Sequence, residues 1–411
     1  MIRDALLALG LLLSTASQLR PEGSPIGPGE FCLAIWVLLS IGYEAIRLGP
    51  PVTTALLRLL TFWLVFAFAQ CLGLLVGFAT EEFRDTAAAK HDMLAYFLMA
   101  SISCFIIIVP ETGPRLRRVT WILAAAGATC LAVQMADAFG LVTIPAISPW
   151  YWHRFRGWSE NPNQMALLSV ALALLSFHLA ETAEKLGERF AALACAAFCF
   201  LVGVLTRSDS FILVLLIAGP VFVTLKLRTW LTLRGRGLPF RTASAYLIVL
   251  SVPALLASAA PFAPTIAAHS ERFATNTLED NNQGEDRFKL WAEAIHLGVG
   301  SWMLGLGPGP HLTSKDYKRP PPAKFEAHNT ILDLFTQGGI IAVFSFVGLL
   351  ATTSFVAYRA GLSALATLVC ALGVFSMFHL IVRQPIFWFS IALCLAAAET
   401  FRKAPDQNRS S

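Results

Sequence analysis

Charge is scarce in this chain. Only 14% of its 411 residues are Asp, Glu, Lys or Arg, while 56% are hydrophobic. A soluble domain carries about 25% charged residues, so a soluble globule of this composition would have too little polar surface to stay dissolved. Other absences are equally informative. All eight cysteines fall inside apolar runs, which leaves no disulfide framework outside them. The segment "GLGPGP" at 305–310 lacks the lysine and serine of a phosphate-cradling loop, and its prolines suit a turn. Without a nucleotide-binding motif, an ATP-driven pump or a soluble kinase is excluded. There is no HExxH, no DxD and no paired histidine spacing, so metal ligation fits poorly.

What the chain does have is apolar runs of about 20 residues, each long enough to cross about 30 Å of hydrocarbon as a helix. The reading is an all-α polytopic membrane protein, one integral domain over 1–411. Twelve spans are expected at 4–19, 30–48, 56–79, 91–110, 119–141, 162–180, 190–206, 209–227, 242–262, 329–357, 361–381 and 385–401. Only "TRSDS" separates the seventh from the eighth. A long loop, 263–327, with short helices of its own, precedes the tenth. The first span reads as a retained helix, because Asp4 offsets Arg3; the alternative is a leader cleaved near Ala16.

Orientation follows from basic residues in short loops. Seventeen of the 31 Lys and Arg lie on the side of the N-terminus, against seven in the short loops opposite. Both termini are expected in the cytoplasm and the long loop outside. The net charge of +5 reflects this asymmetry and implies no nucleic-acid partner.

Polar chemistry gathers at the outer level. In "KFEAHNTILDLFTQGGI", Asn329 suits the N-cap of the following helix, and His328 sits beside the positive end of its dipole, where an anion is favoured. Neutral histidine accepts protons well near pH 7; the plainer alternative is an interfacial histidine bonded to water or a loop carbonyl. Arg207 in "LTRSDSF" either faces a polar cavity or pairs with Asp209. Arg287 opens an amphipathic helix in "GEDRFKLWAEAIHLG", with Phe288, Trp291, Ala292 and Ile295 as its expected apolar stripe; the alternative for Arg287 is an ion pair with Glu285 or Asp286. Arg154 and Arg156 sit among Trp150, Trp152 and Trp158, which read as interface anchors, and Arg383 reads as a plain anchor. Several guanidiniums and one imidazole at one membrane level suit a lipid-linked diphosphate, since arginine grips phosphate oxygens in pairs.

On three segments the chain resembles the O-antigen ligase and O-antigen polymerase superfamily of bacterial membrane glycosyltransferases. These are "RFRGWSENPNQMA", "LTRSDSFILVLL" and "DRFKLWAEAI…GLGPG…AHNTILDLFTQGGI". They fall between about 154 and 345; residues 1–140 carry no family motif. The resemblance implies an undecaprenyl-diphosphate-linked glycan as donor, His328 as general base, and Arg207 and Arg287 on the diphosphate with Arg156 assisting. It implies no metal and no organic cofactor. The expected reaction is an inverting transfer of glycan to a glycan or lipid A core acceptor, as in lipopolysaccharide biosynthesis, at the outer face of the bacterial inner membrane among its lipids. A polymerase of the same superfamily is the nearest alternative. A twelve-span transporter or flippase is the rival from another class, disfavoured because few charges lie mid-span. Gly338 and Gly339 are expected to permit a kink or close packing in the helix after His328.

Overall fold

The computed structural model describes residues 2–21, 24, 26–46, 52–80, 85–108, 112–145, 147–232, 283–313 and 324–407. The expected span 242–262 and two stretches of the flanking loop, 263–282 and 314–323, lie outside the described residues. Twelve α-helices are described: α1 Ile2–Leu13, α2 Pro28–Ile46, α3 Thr54–Ala79, α4 Thr86–Ile108, α5 Thr112–Ala138, α6 Pro162–Thr182, α7 Leu186–Leu205, α8 Asp209–Thr232, α9 Gln283–Gly300, α10 Thr330–Arg359, α11 Ser363–Ser376 and α12 Pro385–Gln407. A two-residue hairpin, β1 Trp150–Tyr151 against β2 Arg154–Phe155, is the only sheet among the described residues.

Eight of these helices, α2 to α8 and α10, are long and apolar enough to cross a membrane. The match to the expected spans is close, with two differences. At 12 residues, α1 extends only about 18 Å. Instead of a spanning run it is a buried peg, its Leu7 and Leu11 packed in the core beside α2 and α5. The expected span 361–381 is helical only to Ser376, and a bend and a 3-10 turn at Ile381–Arg383 complete it. The last apolar helix, Pro385–Phe401, keeps the expected bounds. Backbone freed at such a bend must be satisfied inside protein. Here Thr330 Oγ1 donates to His379 O and accepts from Ile381 N, and Trp388 Nε1 donates to Val382 O.

The helices alternate in direction, and their ends sort into two layers. At one end Asp4 bonds Arg115 and Arg118, Arg117 pairs with Glu188, Lys226 with Glu181, and Glu399 accepts from Ala55 N. Those cations belong to the set the loop count places in the cytoplasm. At the other end lie the hairpin, the start of α6, the break between α7 and α8, α9 and the start of α10. One core joins them; its largest buried side chains include Trp36, Trp388, Phe155, Phe346 and Phe387.

The expected kink is present. Gly338 and Gly339 leave helical geometry inside α10, Gly339 at φ +62° and ψ −159°, a region open essentially to glycine. The broken turn is repaired from outside. The segment after α9 enters the bundle, where Leu306 N donates to Thr336 O, Gly307 N to Gln337 O, and Ile340 N to Met303 O. Gly73 of α3 closes the third side: a β-carbon there would lie 2.2 Å from Gln337 O. Thus "GLGPGP" is a structural plug, and its glycines permit backbone-to-backbone approach.

Helix α9 forms where expected but presents a different face. Leu290 and Ala294 are buried against Leu312 and Ala327, and Gly298 meets the Phe335 ring. Phe288, Ala292 and Ile295 are exposed, and Trp291 is only partly covered. The helix has two apolar stripes. The one made of small residues allows closer approach to α10, so it is the one that packs.

Candidate active site

The site is built on three chain breaks at one end of the bundle. At the first, Asn161 caps α6 by accepting from Asn163 N, with Pro162 at the first helical position. Asn163 Oδ1 then accepts from Arg154 Nη2 at 3.0 Å and from Ser208 Oγ at 2.7 Å. At the second, Thr206 closes α7, and its carbonyl accepts from Arg154 Nε at 3.4 Å. Arg207 follows in a left-handed conformation, φ +46°. The hairpin arginine is therefore held by both the α6 cap and the α7–α8 break.

The third break carries His328, also left-handed at φ +52°. Non-glycine residues rarely adopt this conformation, and it recurs at functional sites where the surroundings enforce it. Three supports converge here. Asn329 caps α10 by accepting from Ile331 N and Leu332 N. Asp333 accepts from Ala327 N at 2.7 Å and Asn329 N at 3.3 Å. Trp291 Nε1 of α9 donates to Ala327 O at 2.9 Å. Behind the loop, Arg383 donates to Asp92 and Glu326. Arg383 is thus no plain anchor: it joins α4 to the segment two residues before His328, and nothing in the residues around it signals partners so distant.

Charges in this region act on one another. Arg154 and Arg287 favour the charged form of Asp209 against its burial, and Arg287, His328 and Arg154 add to burial in lowering the His379 pKa. His379 Nε2 lies 3.2 Å from Ser210 Oγ. Burial lowers the Arg154 pKa, and Arg287 adds to this while Asp209 opposes it. His328 opens to solvent on one side, yet the groups packed around it exclude enough water to matter. Its pKa is lowered first by burial and further by Arg287 and Arg383, with Glu326 opposing. The ring is therefore neutral near pH 7, a proton acceptor under the influence of two arginines. For Arg383, burial alone would lower the pKa, but Glu326 and Asp92 hold it above the ordinary arginine range.

Of the four residues expected at the site, the structure brings His328 and Arg287 together. Arg207 is exposed at the α7–α8 break. Arg156 donates to the carbonyls of Ser148 and Glu160 and lies over Tyr151. Arg154 and His379 belong to the group; the sequence offered Arg154 only as part of an aromatic cluster and gave His379 no role.

Residues 191–347 match the family model described as O-Antigen ligase. That stretch of the chain is similar to the O-antigen ligase family. It holds most of α7, α8, α9, the glycine plug, His328 and the kink of α10; Arg154, Arg156 and His379 lie outside it. No curated protein and no solved structure matches the chain. With the apolar helices, this similarity supports a multi-pass protein of the bacterial inner membrane and glycosyl transfer of the O-antigen ligase and polymerase type in general.

Proposed function

We propose that the protein transfers a glycan from an undecaprenyl-diphosphate carrier to an acceptor hydroxyl at the outer face of the inner membrane, with both its termini in the cytoplasm. His328 takes the proton of the acceptor hydroxyl. The acceptor oxygen attacks the anomeric carbon, the bond from that carbon to the phosphate oxygen breaks, and the electron pair leaves with the diphosphate. The displacement inverts the anomeric centre, and no step calls for a metal. General-base help of this kind contributes about 10²–10⁴-fold. Arg287 and Arg154 take up the charge growing on the diphosphate, as preorganised donors do. Arg207 reaches the same leaving group from the α7–α8 break, and Arg156 serves by bracing the loop that carries Arg154.

One observation carries this reading. His328 stands left-handed at the start of α10 with its pKa lowered by burial and by Arg287, while Asn163 holds Arg154 beside Ser208 where α6 and α8 begin. The ligase reading is taken over the polymerase because the matched family model is described as the ligase. The test is His328→Ala in a host lacking the chromosomal copy, scored for lipid-linked glycan transferred, with membrane abundance measured alongside. Transfer is expected to fall at least about 100-fold. Undiminished transfer at normal abundance rejects the assignment. Supplying lipid A core or a second lipid-linked repeat as acceptor separates ligase from polymerase.

A further inference from the structure

We propose that Asp333 is the positioning residue for His328, holding the imidazole in its working orientation through the backbone; this rests on the reading of His328 as the base. The two carboxylate oxygens divide their bonds between the residues on either side of the histidine. Oδ1 accepts from Ala327 N at 2.7 Å and Oδ2 from Asn329 N at 3.3 Å. The left-handed conformation of His328, φ +52°, is disfavoured for any residue with a β-carbon. A clamp spanning both neighbours is what keeps it there. Asp333 is 3% exposed and Ala327 is fully buried, so water is poorly placed to replace those bonds.

The carboxylate is not needed as a helix cap. Asn329 already satisfies the amides of Ile331 and Leu332, while both bonds of Asp333 go to chain outside the helix that carries it. Burying a carboxylate in a membrane helix is costly, and here its only hydrogen bonds among the described residues are those bracketing His328. Trp291 fixes the Ala327 carbonyl from α9, so the clamp acts against a wall that cannot turn. A catalytic group displaced by about 1 Å loses about 10²-fold in rate.

The experiment is a double-mutant cycle on full-length protein in membranes, with Asp333→Asn and His328→Ala singly and together, each at matched abundance. Asparagine at 333 offers one acceptor and turns a donor toward the second amide. With His328 present, Asp333→Asn is expected to lower kcat about 10–100-fold with the donor KM within about twofold. In the His328→Ala background it should cost no more than about twofold, because a residue acting only through the imidazole has nothing left to position. An equal loss in both backgrounds overturns the proposal, as does no loss beside His328; in either case the base assignment survives if His328→Ala alone is inactive. Full turnover of His328→Ala refutes both ideas. Should Asp333→Asn fail to accumulate, Asp333→Glu, which keeps the charge but displaces both oxygens by a methylene, runs the same cycle with the same outcomes.

Discussion

Replacing Gly339 by alanine tests the plug that repairs the α10 kink. The substitution meets two obstacles at once. The backbone at φ +62° and ψ −159° is strained for alanine by about 1–3 kcal/mol. The added carbon would lie 2.1 Å from Met303 O and 2.6 Å from the Leu304 backbone, so backbone rather than a flexible side chain must move. Moving it endangers three hydrogen bonds, from Leu306, Gly307 and Ile340, each contributing about 0.5–1.5 kcal/mol. The combined loss is about 2.5–7.5 kcal/mol, a large part of the roughly 5–15 kcal/mol that holds a typical domain. Gly348 is the matched control. It lies in the same helix with open space at its β-carbon position, so alanine there is expected to be neutral or to stabilise by up to about 1 kcal/mol. The assay is thermal unfolding in detergent together with membrane abundance. Gly339→Ala should unfold well below the parent and accumulate poorly, while Gly348→Ala should match it. A Gly339→Ala protein with parental unfolding and abundance refutes the plug.

Three further outcomes are expected. Neutral His328 is the active form, so kcat/KM should fall tenfold per pH unit below its lowered pKa and level off above it; Glu326→Gln removes the charge that opposes the lowering, so this limb should move to lower pH, and a shift upward contradicts the electrostatic account. Arg154→Gln breaks charge-assisted contacts worth about 1.5–3 kcal/mol each, so kcat/KM for the donor should drop roughly 10–150-fold, whereas Arg156→Gln should change it by less than about tenfold; the reverse order, measured on vesicles with a lipid-linked donor, would return the diphosphate to Arg156. Arg383→Met leaves the buried Asp92 and the partly exposed Glu326 without this cation, a loss of up to about 3–5 kcal/mol, visible as a lower unfolding temperature even without substrate.

Local chemistry was legible in the sequence. The Asn329 cap, the break at Thr206–Ser208, the glycine turn at 305–310 and the Gly338–Gly339 kink all depend on residues whose backbone preferences act within a few positions. Most spans could be placed for the same reason, since about 20 apolar residues declare themselves without knowing their neighbours. What failed to show was pairing across distance. Arg383 finds Asp92, 291 residues away, and Glu326, 57 away; nothing near position 383 announces either. Choosing between Arg154 and Arg156 required knowing that Asn163 and Thr206 would fold back to hold the first. The packed face of α9 was misjudged because large apolar residues dominate a periodicity count, whereas contact distance favours the stripe of Leu290, Ala294 and Gly298.

The repair of α10 ties together two stretches that are some thirty positions apart. Met303, Leu306 and Gly307 supply hydrogen-bonding partners to Thr336, Gln337 and Ile340, and neither stretch can form its bonds without the other. A chimera that exchanged one while keeping the other would leave several peptide groups unmatched where no water can reach them. These segments must therefore be inherited, swapped or redesigned as one unit, whatever becomes of the chain between them.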